Sequence, residues 1–232
     1  MKEPAQPLAE VFGYLTSDQT AQAERYRKRR LCPFNNKVPN CTNQPLGVCS
    51  INCGKQLVIT CPIRFREDWI ITDDAASFFF DESATWSSLT EVRLNDAQEK
   101  SAGNIDVILV AYDAGGKVYD FGALEIQKRL APQLLFKGGI LNSWKKKTAV
   151  ALNKGVFETL PPMKEVSRTD AEIAWLIYDL KSSQDGTYNE LFLQNVHYTE
   201  RPDAPAGINF ATGVPVDNFL RRLDAELEAM VV

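Results

Sequence analysis

A chain of 232 residues with 44% apolar and 24% charged residues can bury one large core or two small ones, and is too apolar for global disorder. Twelve Pro and thirteen Gly exclude collagen-like and low-complexity architectures, and a formal charge of −4 gives no overall cationic field. No apolar run nears the roughly 18–20 residues of a membrane span, and MKEPAQPLAEVFGYL lacks the apolar core of a secretory signal, so a cytoplasmic protein with no membrane partner is expected.

In chain order, residues 5–31 read as mainly helical. Ala5 to Tyr14 is weakly amphipathic, and Ser17 or Asp18 could cap a second run, QTAQAERYRKRRL. The segment 32–62 carries every cysteine. QLVITCPIRF contains a strand, WIITDDAASFFF begins a helix at Asp73-Asp74, and SLTEVRL alternates as a strand or short helix. NIDVILVAYD and KVYDFGALEIQ are rich in β-branched residues and flank Ala114-Gly115-Gly116, the pattern of a hairpin. Residues 140–153 read as a basic helix. AEIAWLIYDLK and NELFLQNVHYT are later apolar elements, Pro161-Pro162 and RPDAPAG mark loops, and VDNFLRRLDAELEAMVV closes the chain as a helix entered after Pro215.

Charge is unevenly placed. From Arg25 to Arg66 there are nine Lys/Arg and no acid, and from Lys128 to Phe157 there are seven, again without an acid. Such asymmetry points to a polyanion partner, because local cationic fields contact phosphates whatever the net charge. Arg25–Arg30 and Lys145–Lys147 are the candidate backbone contacts.

The single histidine, His197, lies in the alternating run LFLQNVHYTE and reads as a strand residue rather than a general base. Any hydrolytic chemistry therefore falls to carboxylates and a metal. The five cysteines, Cys32, Cys41, Cys49, Cys53 and Cys61, crowd into thirty residues. Their odd number argues against a disulfide framework, and a site with four cysteine ligands for iron or zinc fits better. Loops rich in Asn, Pro and Gly would draw their order from such an ion.

In the expected hairpin, Glu125 and Gln127 are two residues apart on one strand and share a face, with Ile126 turned to the apolar layer. An antiparallel neighbour can bring Asp106 beside them. Two convergent carboxylates are what a protein supplies to Mg²⁺, with waters completing the octahedron. The ion polarises a phosphodiester and stabilises the charge of an in-line displacement.

Ile105-Asp106, eighteen intervening residues and Glu125-Ile126-Gln127 together resemble the PD-(D/E)XK nuclease motif, with Ile105 in the Pro position and Gln127 in that of Lys. The segments CPFNNKVPNC, PLGVCSI, VITCPIRFR, DAASFFF, LTEVRL, SAGNIDVILVAYD and DFGALEIQ resemble the NotI-type restriction endonucleases, most closely over residues 25–130. That resemblance implies an α/β fold. A PD-(D/E)XK core, a mixed sheet flanked by helices, would occupy residues 67–232, behind an N-terminal helix and four-cysteine metal-binding module in residues 1–66. It implies Mg²⁺ on Asp106 and Glu125, Gln127 near the attacking water or scissile phosphate, and Glu91 as an additional acid. Cys32, Cys41, Cys49 and Cys61 would ligate the iron or zinc, with Cys53 as the rival for Cys61.

The implied activity is that of a type II restriction endonuclease, cleaving double-stranded DNA at a specific sequence to leave 5′-phosphate ends, as a homodimer. The alternatives are a non-catalytic DNA-binding protein with a structural thiolate-bound metal, and a DNA nuclease of lower specificity. Gln127 positions groups by hydrogen bonding but cannot supply the charge of a lysine.

Overall fold

The computed structural model describes residues 7–34, 46–53, 56–127, 140–141, 143–160, 162–184, 186–201 and 213–231. Among these, two sheets form. The smaller has the order β2-β1-β3-β4, from β1 (Leu8–Val11), β2 (Tyr14–Leu15), β3 (Val48–Cys53) and β4 (Gln56–Ile59). The larger has the order β10-β9-β8-β7-β6-β5, from β5 (Trp86–Asn95), β6 (Ser101–Tyr112), β7 (Val118–Gln127), β8 (Thr148–Asn153), β9 (Ile173–Ser182) and β10 (Asn189–Thr199). β5, β6 and β7 form an antiparallel meander, β7, β8 and β9 run parallel, and β10 returns antiparallel at the edge. The expectation of a mixed sheet flanked by helices is met.

Helices cover both faces. α2 (Ile70–Phe79) buries Ile71, Ala75, Phe78 and Phe79 against Leu109, Leu124, Ile126 and Tyr178. It lies close because residue 122 is glycine, where a Cβ would stand 2.3 Å from the Phe79 ring. On the other face α4 (Val216–Val231) inserts Phe219 and Leu223 among Phe121, Ala123 and Ile140, and Phe219 stacks on Trp144 at 4.7 Å. The short α3 (Lys154–Phe157), capped by the Asn153 side chain, covers Val150 and Trp175 with its neighbours. No helix among the described residues is long and apolar enough to cross a membrane.

Three expectations are corrected. The segment expected to open as a helix forms strands β1 and β2, and only Ala21–Arg29 is helical (α1), capped by Thr20 rather than Ser17 or Asp18. Glu10 in β1 is buried against Arg64 and Ser50, a tertiary demand that overrides the helical preference of Leu, Ala and Glu. The expected basic helix at 140–153 keeps only a short helical stretch near Ile140. Its second half is β8, buried along its whole length between two parallel neighbours. A strand covered on both faces loses the polar alternation that reveals a strand in sequence. α2 begins at Ile70, ahead of Asp73-Asp74, after two left-handed residues, Asp68 (φ 48°) and Trp69 (φ 55°), end the 3₁₀ segment Pro62–Trp69.

The β6–β7 hairpin forms as expected, closed by a turn in which the Asp113 carboxylate accepts the N–H groups of Gly115 and Lys117. The expected loop residues Pro161 and Pro202–Gly207 lie outside the described residues.

Arg64 joins the two sheets. Fully buried, it pairs with Glu10 of β1 at 3.2 Å and with Glu67 at 2.8 Å, and donates to the Asn189 carbonyl of β10 at 2.8 Å. Glu67 in turn accepts the Leu191 N–H. The boundary expected at residue 66 thus falls inside a segment bonded to both sheets.

Candidate active site and cysteine cluster

The meander positions the acidic residues. β6 pairs with β7 from Tyr112↔Val118 to Val107↔Leu124, and no described pair continues toward the start of β6. Below that level β6 stays with β5 (Val92↔Ile105, Leu94↔Gly103), while β7 stays with β8 (Glu125↔Val150, Gln127↔Leu152). The sheet forks between Asp106 and Glu125. At the fork the Asp106 carboxylate accepts the Ile126 N–H at 2.8 Å, a side chain meeting the partner strand where the main-chain ladder ends.

Glu125 is 1% exposed, and its neighbour Ile126 packs on the α2 side of the sheet. By strand alternation Glu125 and Gln127 share the opposite face, with Gln127 half-buried at the end of β7. Glu91 lies on β5 between Thr90, which pairs with Val107, and Val92, which pairs with Ile105. The register on either side of it puts Glu91 level with Asp106. Glu91 is itself left-handed, with φ 58°, and its exposed carboxylate lies 3.6 Å from Arg66 Nη2.

Among the described residues no group of three or more His, Cys, Asp or Glu is placed to hold a metal ion. The donor set at the fork is two carboxylates, one of them buried, and burial of adjacent like charges is costly without a cation. That chemistry fits a hard divalent ion with water filling the remaining positions.

In the small sheet, Cys49 is buried on β3. The main chain of Cys61, just past β4, donates to the Cys49 carbonyl, and the Gly13 N–H donates to Cys49 Sγ at 3.3 Å. Gly13 (φ 82°) must be glycine, because a Cβ there would meet Pro33 at 2.2 Å, and Pro33 follows Cys32. This close approach carries Cys32 toward Cys49, and Cys32 and Cys61 both lie near enough to act electrostatically on the Cys49 thiol. Burial, the largest effect, pushes that thiol up to about 12, and the Gly13 N–H opposes the shift. Cys53 is exposed at the end of β3, four residues or ~13 Å from Cys49. Cys41 lies outside the described residues.

The basic tracts divide. Arg25, Lys28, Arg29 and Arg30 are exposed on and just after α1, whereas Arg27 is spent on the Leu15 and Asp18 carbonyls. Lys145 is exposed, but Lys146 pairs with Asp120 and Lys147 donates to the Phe78 carbonyl. His197 lies on edge strand β10, across the sheet from Glu91, bonded to Glu165 at 2.6 Å and stacked on Phe157. Sequence reasoning missed the Ile126 N–H, because a main-chain donor leaves no sequence signal.

Compared with known proteins, the chain matches the family model described as restriction endonuclease NotI over residues 11–128 and again over 127–191. No curated protein matches it.

Proposed function

The chain belongs to the NotI restriction endonuclease family, and from that premise we propose a type II endonuclease that uses Mg²⁺ to cut double-stranded DNA at a specific sequence. Family membership carries the coarse statement, a nuclease acting sequence-specifically on double-stranded DNA. The finer statement is supported chiefly by the fork, where the Asp106 carboxylate accepts the N–H of Ile126, the residue after Glu125.

On this reading the larger sheet is a PD-(D/E)XK core, and Asp106 and Glu125 hold Mg²⁺. When bound, the ion polarises the phosphodiester and offsets the charge of in-line displacement. The chain's own residues orient and bind. Asp106 is held by the Ile126 N–H, so its carboxylate is fixed before substrate arrives. Gln127 offers its amide to the attacking water or a phosphate oxygen. Glu91 supplies a further carboxylate from β5. Scission leaves a 5′-phosphate and a 3′-hydroxyl. The exposed arginines of α1 and Lys145 contact the DNA backbone, and a homodimer matches a palindromic site.

Cys32, Cys41, Cys49 and Cys61 hold one structural iron or zinc. Support comes from the proximity of Cys32, Cys49 and Cys61 and from the N–H of Gly13 on the Cys49 sulfur, while Cys53 stands apart. The ion braces the N-terminal module that carries the exposed basic residues of α1.

The test is digestion of phage DNA with Mg²⁺, followed by mapping of the ends. Discrete fragments with 5′-phosphates, lost in Asp106→Ala and Glu125→Ala, are expected. A smear would replace this reading with a nuclease of low specificity, and salt-dependent binding without cleavage would leave only a DNA-binding protein.

A further inference from the structure

Past the fork, β5 and β6 continue together as a two-stranded ribbon. Its register runs Val92↔Ile105, Arg93↔Asn104, Leu94↔Gly103 and Asn95↔Ser101, and the chain reverses between Asp96 and Lys100. Asp106 stands at the base of this ribbon, which extends away from it by roughly 15 Å at the usual strand rise.

The two faces of the ribbon differ. Val92, Leu94 and Ile105 are buried in the core that Phe219 and Leu223 of α4 complete. By strand alternation Arg93, Asn95 and Asn104 share the other face, where Arg93 and Asn104 are exposed and directly opposite each other. α2, on that side of the sheet, packs on β7, β8 and β9.

The ribbon is held in place. Arg222 of α4 donates to the Arg93 carbonyl, and Asp96 bridges to Gly213 just ahead of α4. The Asp96 carboxylate accepts the N–H groups of Gln98 and Lys100, each at 2.9 Å. Arg93 is also aimed, because its Nε donates to Asn95 Oδ1 at 3.1 Å, two residues along the same face. With Nε engaged there, the two terminal nitrogens are the donor pair of the exposed head group.

This face has the chemistry of base recognition. The major groove of B-DNA admits a two-stranded β-ribbon, and arginine meets guanine O6 and N7 there with two donors, as asparagine meets adenine with a donor and an acceptor. Asparagine is depleted in strands, yet Asn95 and Asn104 both occupy this face. A departure from local preference on a well-braced element marks a functional position.

We propose that the β5–β6 ribbon enters the major groove of the target and that Arg93 and Asn104 are specificity-determining residues. Arg93, braced by Asn95, donates to O6 and N7 of a guanine, and Asn104 contacts the neighbouring base pair. The assignment rests on the reading above of a chain that recognises a DNA sequence, and it names the residues that choose that sequence.

The test selects bound duplexes from a randomised pool, with Ca²⁺ in place of Mg²⁺, for wild type, Arg93→Ala, Asn95→Ala and Asn104→Ala, and sequences them. Wild type is expected to enrich a sequence containing guanine. R93A should lose the preference at one guanine and bind the wild-type sequence about 10–100-fold more weakly. Its log–log salt slope should be unchanged, because no phosphate contact is lost. N95A should weaken the same preference, and N104A should relax an adjacent base pair. 7-Deazaguanine at that position, which replaces N7 by a carbon, should weaken wild-type binding about tenfold and leave R93A indifferent. An R93A pool with the wild-type sequence overturns the assignment, as does a uniform loss with the salt slope reduced by about 0.9, one phosphate contact. So does a selected sequence without guanine. Should R93A fail to fold, a wild type indifferent to 7-deazaguanine at every guanine overturns it equally. Mg²⁺ is then added to the selected duplex. A wild type that selects a sequence but does not cut it removes the nuclease reading and leaves the ribbon. A wild type that cuts, with R93A selecting as wild type does, removes the ribbon assignment alone.

Discussion

The Asp106 carboxylate accepts the Ile126 N–H at 2.8 Å, at the level where the pairing of β6 with β7 stops. One acid therefore has two duties. On the nuclease reading it offers an oxygen to a cation, and it satisfies a main-chain donor that the ladder has released.

Those duties separate by mutation. Asp106→Ala removes both, and is expected to lower plasmid cleavage at least ~10³-fold and to cost about 1–3 kcal/mol of stability through the orphaned N–H. Asp106→Asn keeps a carbonyl oxygen for Ile126 but lacks the charge a cation requires. It should be as inactive as the alanine variant while unfolding in urea close to wild type. Equal destabilisation of the two variants would show that the Ile126 contact contributes nothing.

Arg64 is buried with two carboxylates and a carbonyl, linking β1 to β10. Removing one partner of a buried ion pair leaves the other uncompensated, at roughly 3–5 kcal/mol. Arg64→Met should lose about that much in chemical denaturation, whereas Lys164→Met, from an exposed pair with Glu200, should change stability by less than about 1 kcal/mol.

The cysteines differ in access. Cys53 is exposed and Cys49 buried, so an alkylating reagent should label Cys53 first in the folded protein and Cys49 only after denaturation. Cys53→Ser should leave about one tightly held ion per chain, as one tetrathiolate site implies, and Cys49→Ser should release it and lower the melting temperature. Retention of the ion in Cys49→Ser with loss in Cys53→Ser would reverse the ligand assignment.

The Cys49 thiol also makes a pH prediction for protein stripped of metal. Its folded value, pushed up to about 12, lies above the 9.0 of a free thiol. The folded state thus binds more protons than the unfolded one within that window. The contribution to stability is complete below pH 9, and is lost as pH rises toward 12. In urea titrations of chelator-treated protein, wild type should lose stability over this range more steeply than Cys49→Ala. Parallel curves would exclude a thiol held neutral by burial.

Much of the larger sheet was legible because its signals are local. NIDVILVAYD and KVYDFGALEIQ carry β-branched residues on either side of a turn sequence, and the last helix repeats its apolar residues at helical spacing around Phe219 and Leu223. The spacing of Asp106, Glu125 and Gln127 was likewise readable, since alternation assigns strand residues to faces without knowledge of the fold. β1 and β8 were not readable. Leu8–Val11 is a strand because Glu10 meets an arginine fifty-four residues away, and Thr148–Asn153 because strands on both sides bury it.

By itself, then, the order of residues determined the hairpin, the closing helix, the acidic pair with its amide and the crowding of cysteines, all features of near neighbours. Tertiary structure alone decided that the sheet forks at Asp106, that Glu91 lies level with it, and that Arg64 is consumed in joining the two sheets. Periodicity records which side of its own element a residue occupies. Which distant residue it meets depends on strand pairing and packing, and those are set by hydrogen bonds and buried charge between segments far apart in the chain.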